Sequence, residues 1–146
     1  MEPGDRLMAF WLFKSEPSTW SWDDQVAKGE EGEEWDGVRN YQARNNMRLM
    51  RAGDRGFFYH SQKEKAVVGI VEVCAESHQD STTEDARWDC VDIRAVAPLA
   101  RPVTLAEIKE HPDLAEMALV KNTRLSVQPV SEAEWAIICE LGGIAP

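Results

Sequence analysis

A chain of 146 residues that is 43% hydrophobic and 29% charged has the size and make-up of one ordinary globular domain. Its net charge of −10 argues against a surface that grips a nucleic-acid backbone along its whole length. No apolar run approaches the ~20 residues of a membrane span, and the opening MEPGDRLMAF lacks the regions of a signal peptide, so a cytoplasmic chain with no membrane partner is expected.

Residues 1–8 read as an N-terminal tail and 9–143 as the domain. FWLFK (Phe10 to Lys14) is an aromatic run expected to form a buried strand, broken at Pro17. Ser21 with Asp24 caps a helix through Val26, and EEGEE (Glu30 to Glu34) reads as a solvated loop. Ala43, Met47 and Met50 fall at helical spacing, which predicts a helix over QARNNMRLM that ends at Gly53. GFFYHS and AVVGIVEVCAES, separated by the turn QKEK, predict a hairpin. CVDIRAVAPL predicts a further strand stopped by Pro98 and Pro102. Thr104 with Glu107 and Asp113 with Glu116 have capping-box spacing and predict two short helices. RLSVQPV predicts a strand whose Pro129 places it near a sheet edge, and Ser131 with Glu134 opens a last helix with Trp135, Ile138 and Cys139 toward the core. About five strands with short helices, without strand–helix–strand alternation, predict an α+β domain built on a closed or nearly closed, mostly antiparallel barrel.

Chemistry is sparse. The chain has no G-x-x-x-x-G-K-[ST], G-x-G-x-x-G, H-E-x-x-H or G-x-S-x-G motif. His60, His78 and His111 are isolated in sequence, and Cys74, Cys90 and Cys139 lie outside any C-x-x-C spacing. The expectation is free thiols, no metal site and no cofactor. Charge is uneven, however: residues 1–37 sum to −7, 38–65 to +5 and 66–146 to −8. The cationic part holds WDGVRNYQARNNMR, Trp35 to Arg48, with one tryptophan, one tyrosine, three arginines and three asparagines. Trp35 sits in a polar loop that no apolar pattern accounts for; it either folds back on the core or forms a stacking wall for a flat ligand, since base–aromatic stacking is worth ~1–3 kcal/mol per base. Asn40, Asn45 and Asn46 offer amides suited to a base edge, although Asn40 is equally suited to capping a helix. Arg39, Arg44 and Arg48 suit phosphate. KSEP, Lys14 to Pro17, is either a plain turn or one rim of the same pocket, and Tyr59 to Ser61 ends the next strand in a similar way.

FWLFKSEP, WDGVRNYQARNNMR, GDRGFFYHS and GIVEV, in that order, resemble the EVE domain family, and RWDCVDI and LVKNTRLSVQPVS extend the likeness from about Phe10 to Gly142. The resemblance implies a PUA-like barrel related to YTH readers of methylated adenine, and a pocket for a modified, flipped nucleobase of DNA or RNA. By that resemblance Trp35 is the cage aromatic and Ser15, Glu16, Asn40 and Tyr41 line the pocket, with Lys14, Arg44, Asn45, His60 and Ser61 as further ligand-binding positions and Arg39 and Arg48 on phosphate. The expected protein is a non-catalytic reader with a modified base as partner, its oligomeric state open with a monomer slightly favoured. The alternatives are a small amidohydrolase-like enzyme acting on modified nucleosides, with Lys14 and Glu16 or Glu72 as the reacting pair, and a protein-interaction module using the acidic faces.

Overall fold

The computed structural model of the chain describes residues 9–145; the expected tail, residues 1–8, lies outside them. The elements are β1 (Phe10–Ser15), α1 (Trp22–Ala27), β2 (Glu33–Glu34), α2 (Tyr41–Leu49), β3 (Arg55–His60), β4 (Ala66–Gln79), β5 (Asp89–Thr104), α3 (Leu105–Glu110), α4 (Ala118–Lys121), β6 (Val127–Val130) and α5 (Glu132–Leu141). They build one six-stranded sheet in the order β2-β5-β4-β3-β1-β6, in which only the β1–β3 pair is parallel.

The sheet is mixed and mostly antiparallel, as expected, but it does not close into a barrel. Its end strands explain this. β2 is two residues long, and β6 is four residues with Pro129 among them, so neither presents a full row of backbone groups to the other. β2 lies inside the stretch expected to be a solvated loop; two glutamates carry no strand signal of their own, and the pairing with β5 supplies it. β5 runs through both prolines that were expected to stop it. Both prolines sit at a break in the pairing with β4: Gly69 lies opposite Pro98 and Val67 opposite Val103, so residues 99–102 have no register partner on β4 and Pro102 has no ladder bond to lose.

The capping boxes at Ser21, Thr104 and Ser131 form as the sequence predicts, each with side chain and backbone bonded both ways. The Asp113–Glu116 box does not form: His111 caps a short 3-10 turn instead, and α4 starts after Met117 with no side-chain cap. α2 ends at Leu49, short of Gly53.

Alternation along β1 sends Leu12 to one face of the sheet and Trp11 and Phe13 to the other, and each face has its own core. On the Leu12 face Trp135 of α5 stacks on Phe57 at 4.0 Å and Phe10 at 4.3 Å, beside buried Ile138 and Cys139. On the Trp11 face α2 inserts Ala43 and Met47 against Phe13, Phe58 and Val71. The candidate site opens on this second face.

Candidate functional site

A cleft of about 570 Å³ lies beyond the C-terminal end of β1, within the roughly 300–1,000 Å³ common for small-ligand sites. Lys14, Ser15, Glu16, Thr19 and Trp20 form one wall and Glu33 to Arg39 another, with Ser81 and Ser126 completing the lining.

The first wall is a turn fastened at several points. The amides of Thr19 and Trp20 both donate to the Glu16 carbonyl at 2.9 Å, and the Ser15 hydroxyl donates to the Trp20 carbonyl. The Trp20 indole N–H donates to Gln25 Oε1 at 2.9 Å. Gln25 is fully buried in α1 and donates in turn to the Ile93 carbonyl, so the ring is aimed by a side chain bonded through both its amide atoms. His60 Nε2 accepts the Trp22 amide at 3.0 Å, which requires the ring proton on Nδ1, 2.6 Å from Glu64.

The second wall holds Trp35, which is 8% exposed. Its ring packs edge-on against Phe13 at 5.3 Å and Phe58 at 5.7 Å, so it folds back on the core, while one side still lines the cleft. Its amide donates to the Val91 carbonyl at 2.8 Å. The chain after it turns on Gly37 at φ +78, a value that favours glycine. Asp80, 1% exposed, pins that turn: it accepts from the Gly37 amide at 2.8 Å, Arg39 at 3.1 Å, and the amide and hydroxyl of Thr82. Burial would raise its carboxyl, but the bonds from Thr82, Gly37 and Arg39 outweigh it and hold it at about 2.

The cleft is acidic. Glu34 is held below the usual range by the Ser81 hydroxyl, while partial burial and the charges of Asp80, Glu34 and Glu33 raise Asp36. Glu33 is paired with Lys28 at 2.9 Å and Glu16 is 3.4 Å from Gln62; Asp36 has no hydrogen bond or ion pair among the described residues. Lys14 donates to the Thr123 carbonyl at 2.6 Å and lies 5.9 Å from the Tyr59 ring centre; burial lowers its ammonium.

Of the positions singled out in the sequence, the cleft gathers Lys14, Ser15, Glu16, Trp35 and Arg39. Asn40 instead caps α2, its side chain accepting the Ala43 amide at 2.9 Å, and Asn46 donates to the Val127 carbonyl. Asn45 accepts from Arg44, and Ser61 bonds the Ser15 carbonyl through its amide and hydroxyl. Arg48 is paired with Asp89 at 2.6 Å and Arg39 with Asp80, which leaves Arg44 as the arginine of the motif with no carboxylate partner among the described residues. Glu72 is held by Arg94 and Arg55 on the sheet, away from Lys14, so the reacting pair of these two does not form.

Beside the cleft, Tyr41 stacks on Trp88 at 5.0 Å and is 49% exposed. Arg44 lies 4.9 Å from the Tyr41 ring centre and Arg39 5.4 Å from that of Trp88. Arg87 donates to the Tyr41 hydroxyl at 3.2 Å but is neutralised by Asp85. Of Trp20 and Trp22, which straddle a helix start and of which one was expected to close over the barrel end, Trp20 lines the cleft. Sequence reading missed Asp36, Asp80 and Trp88; only Asp36 lies inside the motif, and the other two are brought to it by the fold.

A family model described as the EVE domain matches residues 9–141. Mouse thymocyte nuclear protein 1 is 33% identical over 175 residues, covering 98% of this chain and 77% of its own. A crystal structure of a protein from Agrobacterium tumefaciens is 62% identical over 94% of each chain, with a TM-score of 0.93. A crystal structure of human THYN1 in complex with DNA containing 5-methylcytosine is 32% identical, covering 94% of this chain and 99% of that one, with a TM-score of 0.87.

Proposed function

This chain belongs to the EVE domain family, and from that premise we propose that it is a non-catalytic reader that holds one modified nucleobase, flipped out of DNA, in the cleft. The observation that carries the reading is the human relative in complex with 5-methylcytosine DNA, aligned over 94% of this chain. An aromatic-walled cleft supports it independently.

The base stacks on Trp35, with the Trp20 ring lining the same cleft. Asp36 reads its edge. Burial and the nearby carboxylates raise the Asp36 carboxyl, and its oxygens accept from the exocyclic amino group that cytosine and adenine present and thymine lacks. Arg44 takes the adjoining phosphate in place of Arg39 and Arg48, whose charges are already matched. Few phosphate contacts are needed for a single extruded nucleotide, which reconciles the reading with a net charge of −10.

The test is calorimetric titration of duplexes that carry one 5-methylcytosine, one cytosine or one thymine. The methylated duplex should bind most tightly, and Trp20→Ala should weaken it at least tenfold while circular dichroism shows the fold retained. Equal affinity for all three duplexes refutes the reading.

A further inference from the structure

Behind the cleft, side chains from three strands meet on one face of the sheet. The register sets Glu34 of β2 opposite Asp92 of β5, and His78 of β4 opposite Cys90 of β5. Cross-strand partners project to the same face. Cys90 Sγ lies 3.3 Å from Glu34 Oε1, and His78 Nε2 lies 2.8 Å from Asp92 Oδ1. One donor atom from each of Glu34, His78 and Cys90 falls within 4.8 Å of the other two.

We propose that Glu34, His78 and Cys90 form a binding site for a zinc-class divalent cation that fastens β2 to the β4–β5 hairpin. A thiolate with an imidazole and one carboxylate selects zinc-class ions over magnesium or calcium, which take oxygen donors. Tetrahedral zinc with these ligands needs donors roughly 3.5 Å apart, so the three side chains close by rotamer adjustment, with solvent in the fourth position. Asp92 holds His78 Nε2, while Nδ1 lies 3.0 Å from the Gln79 carbonyl; on binding, Nδ1 exchanges that contact for the metal and Asp92 stays as the carboxylate that orients the imidazole. On binding, the Cys90 S–H proton leaves to solvent and the sulfur lone pair goes to the metal, while His78 binds as neutral imidazole. Glu34 lines the cleft beside Trp35, so the cation stiffens the wall that carries that ring. This site stands independently of base recognition.

The test uses the full chain, purified with chelator and titrated with cobalt(II). Wild type and Cys74→Ser should both develop the near-ultraviolet thiolate-to-cobalt band, reversed by zinc, and Cys90→Ser should not. Zinc should raise the melting temperature of wild type but not that of His78→Asn, whose ring is half-exposed and whose loss leaves the core intact. Asp92→Asn should weaken the metal about 10–100-fold. The proposal is overturned if wild type gives no band, if the band survives in Cys90→Ser, or if zinc shifts wild type and His78→Asn alike.

Discussion

Replacing Asp80 by Asn should loosen the recognition wall and destabilise the fold by about 2 kcal/mol. Asp80 is buried, and all its described partners are donors: the Gly37 and Thr82 amides, the Thr82 hydroxyl and the Arg39 guanidinium. An amide keeps the volume but loses the charge and turns an N–H₂ toward those donors. The carboxyl stands at about 2 against an ordinary 3.8, and each pH unit is worth about 1.4 kcal/mol, which gives roughly 2 kcal/mol for the charged form. Because the folded value is depressed, that stabilisation is complete above about pH 4 and is lost as pH falls through about 2. Urea unfolding of wild type and Asp80→Asn should therefore show a gap of about 2 kcal/mol near pH 7 that shrinks to roughly half near pH 3. A gap below about 0.5 kcal/mol near neutral pH, or one that stays constant into acid, would refute the argument that hydrogen bonds to the ionised carboxylate hold this turn.

Arg44→Ala should reduce the slope of log affinity against log salt by about 0.9 on duplex DNA, whereas Arg48→Ala, already paired with Asp89, should leave it unchanged; the reverse pattern would move the phosphate contact to Arg48. Gly69→Ala should cost about 1–3 kcal/mol in chemical denaturation, because the added carbon would meet the Trp22 ring at 2.5 Å. Gln25→Leu strands the Trp20 indole N–H, so calorimetry should show weaker base binding and circular dichroism a Tm lowered by several degrees.

The sequence was legible where one short stretch settles the outcome. Ser21, Thr104 and Ser131 each find a partner three residues on, and Ala43 with Met47 marks the buried face of α2 without outside help. The strand signal failed at Glu33–Glu34, whose pairing depends entirely on β5, and at Pro98 and Pro102, which sit at a break in the register with β4. In the site, Trp35 was readable as an aromatic out of place. Asn40 was not readable as a cap rather than a base reader, because both roles use the same amide oxygen. Asp80 and Trp88 lie some forty residues from the motif they support, and Glu34, His78 and Cys90 share no spacing, so only the strand register brings them together.

The turn between β4 and β5 gives the recognition segment its shape from outside: Asp80 holds Gly37 and Arg39, and Trp88 carries the Tyr41 ring. Transplanting WDGVRNYQ alone into another scaffold of this family would therefore move the letters without the conformation. Exchange of specificity between relatives should succeed only when residues 80–88 travel with residues 35–42, which makes the two stretches a single unit of inheritance although the chain writes them far apart.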